Sequence, residues 1–247
     1  MARHILLVAT LFCAGPALAA TASASLDKLR FTVTDLDARD GIAAGYRIAG
    51  DPPRSTVGVA LATATSPLAN RGSRVAPAWL APLSVKARED AADGRGEITA
   101  RGILAAGAAR APGTHFVSET LVQSSSQSQA STIGLVLKAH TQLVITADAH
   151  VAARGEHPCP QPGCEMAAAS VGLGSPQAKG ELVWLSASTA AGKGKPYGQE
   201  RRGTLTITLR NTGDRDAVFG LWLHAQVWGD GGGAKPPPSQ SAAAAKP

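Results

Sequence analysis

The stretch TVTDLDARDGIAAGY, residues 32–46, gathers Asp35, Asp37 and Asp40 just ahead of Gly41. Carboxylates this close together suit three chemistries: ligands for a calcium ion, an acid–base pair, or acceptors that tie a turn together. A calcium loop of the helix–loop–helix kind needs acids at its first, third and fifth positions, glycine at the sixth and glutamate at the twelfth, because these converge on one ion. Counting from Asp35 puts Arg39 at the fifth position, Gly41 one place late and Tyr46 at the twelfth. Two loop carboxylates held apart in a cleft would suit acid–base work. However, Asp-Gly is the strongest short turn signal, and the stretch follows an alternating run through Leu29, Phe31 and Val33. The stretch reads as a turn held by aspartate side chains on backbone amides, with calcium binding and catalysis as the alternatives.

A second group lies in GLWLHAQVWG, residues 220–229. In an extended strand Trp222, His224, Gln226 and Trp228 point one way, and Leu221, Leu223, Ala225 and Val227 point the other. If the aliphatic side is core, the opposite side carries two indoles, an imidazole and an amide, which suits the apolar faces and hydroxyls of sugars. The alternative is that this face is covered by a loop or a second packing layer, or that the tryptophans are themselves core. Asp148 and His150 also share a strand face, as strand-borne metal pairs do. His140, of the same parity, would stand roughly 27 Å away along that strand, so the pair reads as a solvated polar face with no metal or other cofactor. The run GKGKPYGQERRG brings together Lys193, Lys195, Arg201 and Arg202, which could meet anionic lipid headgroups or acidic polysaccharide, with a solvated hairpin tip as the alternative. No GxSxG elbow, HExxH pair or phosphate-binding glycine loop occurs, and the chain reads as non-enzymatic.

The elements that must position these groups are short runs of period-two alternation separated by Gly, Pro, Asp and Ser. Strands are expected over residues 25–34, 46–49, 56–64, 83–87, 97–102, 115–123, 131–137, 142–152, 168–172, 181–188, 204–210 and 218–228. In TQLVITADAHVAA, Leu143, Ile145, Ala147, Ala149 and Val151 form one face. Leu205, Ile207 and Leu209 do the same in GTLTITLRN. Residues 90–111 hold alanines that permit a helix and glycines that oppose it, and read as a loop with one strand. The pattern predicts an all-β fold, an antiparallel β-sandwich with a jelly-roll arrangement among its options.

The ends define the expected boundaries. Residues 1–19, MARHILLVATLFCAGPALA, show a basic start, a short apolar run, a proline and small residues at the cut, the layout of a secretory signal. Cys13 follows Phe12 rather than a small residue, so lipid attachment is not expected. One domain is expected over residues 20–228. Residues 229–247, rich in Gly, Pro, Ser and Ala with no bulky apolar side chain, read as a disordered tail. No other run reaches the roughly 20 apolar residues of a membrane span, so the mature protein is expected in the periplasm or outside the cell. In HPCPQPGC, Cys159 and Cys164 are the two cysteines left after cleavage, and in an exported chain such a pair reads as a disulfide. A metal site with His157 would need further ligands, and none is near in sequence. Charged residues make up 17%, below the roughly 25% of ordinary domains, and aromatics only 4%. The mild excess of cations is spread out and not interleaved with aromatics, which speaks against nucleic acid as a partner.

The stretches ASASLDKLRFTVTDLDARDGIAAGY, LVLKAHTQLVITADAHV and GTLTITLRNTG together resemble a group of exported, β-rich proteins of β-proteobacteria, some of which carry a C-terminal PEP-CTERM sorting tail. The resemblance implies an all-β protein of the cell surface or matrix and supplies no functional residue. This chain has neither the Pro-Glu-Pro motif nor a final apolar helix with basic residues. The expectation is a structural or interaction protein, with polysaccharide or an envelope protein as partner. A carbohydrate-binding module using the tryptophan face is the alternative.

Overall fold

The computed structural model describes residues 20–49, 54–63, 66–76, 79–123, 134–155, 165–175, 182–189 and 197–232. Among these residues there are fifteen strands and no α-helix. One six-stranded sheet runs in the order β13 (Gly198–Asn211), β10 (Thr141–Gly155), β1 (Ala20–Asp35), β7 (Gly102–Ala109), β6 (Ala92–Thr99) and β5 (Leu83–Glu89). The second runs β12 (Leu182–Ser188), β11 (Glu165–Gly174), β15 (Trp222–Gly231), β8 (His115–Gln123), β3 (Arg54–Thr63) and β4 (Ser66–Ala76). A third, small sheet joins β14 (Ala217–Phe219), β9 (Gly134–Leu137) and β2 (Tyr46–Ala49). The pairings are antiparallel and the two large sheets pack face to face, an all-β sandwich. Among the described residues no helix is long and apolar enough to cross a membrane.

Alternation decides which face is inside. On β10 the buried side is Leu143, Ile145, Ala147, Ala149 and Val151, and on β13 it is Leu205, Ile207 and Leu209. The core is graded along the strands. Ala20, Ala22 and Ala24 of β1 meet Ala109, Gly107 and Ala105 of β7, so the sheets can close on small side chains at that end. At the other end Phe31 stands beside Ile145, which stands beside Ile207, and Leu135 and Leu137 of the small sheet cap this bulkier layer. Between the two regimes β1 carries a bulge, with Lys28 at φ 53° and its amide donating to Asp27 Oδ1 at 2.8 Å. Beyond Leu26, β1 pairs with β10 alone.

Four expectations need correction. Residues 90–111 form the hairpin β6–β7 in the middle of a sheet rather than a loop with one strand. The glycines that argued against order are there for close approach: a Cβ at Gly94 would lie 2.5 Å from Val59 Cγ1, and one at Gly96 would collide with Val57 Cγ1. Strand β4 was not expected, because as a largely exposed edge it has no period-two burial to leave in the sequence. The expected strand 218–228 is two, since the chain leaves the small sheet after Phe219 and enters the second large sheet at Trp222. Finally, the domain does not stop at Trp228, because β15 continues to Gly231 and Asp230 is 4% exposed. Gly229 has no side chain because Phe116 of β8 covers it. The expected leader, the Cys159–Cys164 pair and residues 233–247 lie outside the described residues.

Candidate functional site

On β15, Leu223, Ala225 and Val227 are buried, so Trp222, His224, Gln226 and Trp228 stand on the outer face of the second sheet. The structure adds a residue that sequence reasoning missed, Trp184 of β12. Gly172 of β11 is paired with Trp184 on one side and His224 on the other, which brings the rings together over a position without a side chain. The indoles of Trp184 and Trp222 meet edge to face with centroids 4.8 Å apart, and the His224 ring lies 5.1 Å from Trp222 and 5.8 Å from Trp184. A Cβ at Gly172 would come within 2.5 Å of Trp222 and 2.8 Å of Trp184. The signal for Trp184 was present in the sequence: it shares a strand face with Ser186 and Ser188, the polar parity of its run.

His224 is fixed from the neighbouring strand. Its Nε2 meets Glu119 Oε1 of β8 at 2.7 Å, and this hydrogen bond lowers the carboxyl's pKa from its ordinary value, partly opposed by burial. The other ring nitrogen, Nδ1, is buried and has no hydrogen-bond partner among the described residues. The Glu119 bond holds the His224 ring beside the two indoles.

Trp228 differs from its neighbours: it is 40% exposed and makes no ring stack among the described residues. Beside it runs an open groove of about 310 Å³. Trp228 and Gln226 form one wall, Ala168, Ser170, Ser186 and Ser188 the floor, and Gln199 and Arg201 of β13 reach in past the edge strand β12. The register sets the layout, with Trp228, Ala168 and Ser188 in one row across three strands and Gln226, Ser170 and Ser186 in the next. An indole face, a floor of small residues and hydroxyl and amide groups at the sides can hold a ring that is apolar above and hydroxylated at its rim. The volume sits at the lower end of the roughly 300–1,000 Å³ usual for small-ligand sites, enough for a short saccharide segment.

Comparison of the chain with protein-family models, with curated proteins and with solved structures returns no match.

The aspartate stretch is arranged differently. Asp35 Oδ1 accepts from the Asp37 amide at 2.9 Å, Asp37 Oδ1 from Arg39 at 3.1 Å and Asp40 Oδ1 from Ile42 at 2.6 Å, three successive side-chain-to-backbone turns. The second oxygen of Asp40 meets His140 Nδ1 at 2.5 Å, and His140 Nε2 meets Asp214 Oδ1 at 3.1 Å. Hydrogen bonding to His140 lowers the Asp40 pKa, and the same bond raises that of His140. This is a clasp between three loops. Among the described residues no group of three His, Cys, Asp or Glu side chains is placed to hold a metal ion. Asp148 and His150 have separate partners, Lys28 at 3.0 Å and Glu200 at 3.1 Å. The four-cation tip also separates: Arg202 folds back onto Glu200 at 2.8 Å, Arg201 points to the groove, and Lys193 and Lys195 lie outside the described residues.

Proposed function

We propose that the protein is an exported, non-enzymatic binding protein of the cell envelope or extracellular matrix that holds polysaccharide on the outer face of its second sheet. The observation that carries this reading is the exposed Trp228 indole beside a groove lined by Gln226, Ser170, Ser186 and Ser188. Stacking would place a sugar ring on Trp228, and the hydroxyl and amide groups would take its rim. The Trp184–Trp222–His224 cluster supports the end of this surface without being part of the groove. The non-enzymatic part rests on the sequence, which carries no GxSxG elbow, HExxH pair or phosphate-binding glycine loop. His115, His140, His150 and His224 stand beside Asp230, Asp40, Glu200 and Glu119 in turn, contacts that join loops and strands.

The test is retention of the purified mature protein on a panel of insoluble polysaccharides, beside Trp228→Ala and Trp222→Ala/Trp228→Ala variants shown to be folded by circular dichroism. Retention of the wild type and its loss in Trp228→Ala are expected. Equal retention of both forms, or none of either on any polysaccharide, would overturn the reading.

An envelope-protein partner is the second reading, favoured by an apolar rim where Val33, Ile42, Tyr46, Ile48 and Val218 are each more than a third exposed around the small sheet. Binding of a purified envelope component that Ile48→Asp abolishes and Trp228→Ala leaves intact would move the function to that rim.

A further inference from the structure

Strand β13 sorts its charges onto two sides. Glu200 and Arg202 face the outside of the first sheet, where the Glu200 carboxylate accepts from Arg202, His150 and Arg154. These partners, Arg202 foremost, hold its pKa down to about 2. Arg201 has the opposite parity, next to Val151 of the buried face of β10. At the sheet edge its side chain escapes the core and passes β12 into the groove beside Trp228. Among the described residues no carboxylate lines that groove, and Arg201 is the one formal charge among them there. Among the described residues Arg201 makes no ion pair, in contrast to Arg154 and Arg202. Beside it, the Gln199 side-chain oxygen accepts from the Ser188 amide at 3.4 Å, which leaves the Gln199 amide N–H groups as further donors at the Arg201 end.

A groove with an indole at one side and an unpaired guanidinium at the other calls for a ligand that is both a sugar and an anion. Resting on the polysaccharide reading above, we infer that the ligand is an acidic saccharide of the uronate class, with a ring stacked on Trp228 and a carboxylate held by Arg201. A guanidinium grips a carboxylate through two parallel N–H donors, so planar carboxylates suit it geometrically as well as electrostatically. The spacing also speaks to length. Trp228 and Ser188 are two strand spacings apart in one row, about 10 Å, and Arg201 enters from beyond Ser188. A ligand that spans this row offers its stacked ring and its gripped carboxylate on neighbouring sugars of a chain.

The experiment is calorimetric titration of the full mature chain with galacturonate and glucuronate-containing oligosaccharides, each beside its methyl ester, which keeps the sugar and removes the charge. The acid form of at least one series is expected to bind tenfold or more tighter than its ester, with the difference shrinking as salt is raised. Arg201→Gln is expected to erase that difference, Arg201→Lys to restore part of it, and Trp228→Ala to weaken both forms. Equal binding of acid and ester, or an acid preference that survives in Arg201→Gln, would overturn the uronate inference and leave the polysaccharide reading standing. Displacement of the oligosaccharide by inorganic phosphate at equal concentration would also overturn it, marking Arg201 as a general anion contact. Failure of the wild type to bind any acidic or neutral saccharide would remove both.

Discussion

Trp228 is nearly half outside the fold, so its removal separates binding from stability better than removal of Trp222 or Trp184, whose rings support each other. Trp228→Ala is expected to cost about 2 kcal/mol or more in polysaccharide binding, the scale of an aromatic hot spot. The cost in folding should be no more than about 1 kcal/mol, to be read from urea unfolding. Gly172→Ala should behave in the opposite way. Its new methyl would strike both the Trp222 and Trp184 rings, so a loss of about 1–3 kcal/mol in stability and a changed near-ultraviolet spectrum are expected. The His140 clasp makes a prediction in pH. Asp40 has a lowered pKa, so its stabilising contribution is complete above the ordinary value of 3.8 and is lost as pH falls through the folded value. His140 has a raised pKa, so its contribution is complete below 6.5 and is lost as pH rises through the folded value. The difference in melting temperature between wild type and His140→Gln should therefore be largest between pH 3.8 and 6.5 and shrink on both sides. A difference that stays constant from acid to alkaline pH would mean that the clasp is not an ion pair in solution.

At the scale of the element, the hairpin β6–β7 shows why glycine misleads a reader of sequence. Gly94 and Gly96 lower strand propensity, yet they lie where the two sheets approach closely, against Val59, Ser118, Val57 and Thr120. Gly96→Ala is expected to destabilise by about 1–3 kcal/mol through overpacking, measured by thermal or urea unfolding. No loss of stability would mean that the sheets can part at this point at little cost. The edges tell a complementary story. Strand β4 pairs with β3 alone and keeps Asn70, Arg71 and Arg74 on an exposed edge, where charge discourages pairing with another chain. Its sequence carries no alternation because its burial does not alternate.

For the whole molecule, the decisive contacts join distant parts of the chain. β1 sits between β10 and β7, and the candidate binding face joins β12, β11, β15 and β8. A sandwich built from such non-local pairings is expected to fold in milliseconds to seconds rather than microseconds. It should unfold in one transition in which tryptophan fluorescence and far-ultraviolet circular dichroism coincide. Early loss of the fluorescence signal alone would mean that the ring cluster on the second sheet opens independently of the core.

What the amino-acid sequence determined by itself is local and periodic. Period-two alternation was enough for the all-β class, for the buried faces of β10 and β13, and for the division of β15 into an aliphatic inside and an outer side with Trp222, His224, Gln226 and Trp228. That pattern is legible because a strand turns each side chain over at every step, whatever its neighbours are. Which strands lie side by side is not written in any one of them, because it depends on summed packing between residues far apart in the chain. Only the tertiary structure brought Trp184 to Trp222 over Gly172, paired Asp40 with His140, and turned Arg201 away from Arg202 into the groove beside Trp228.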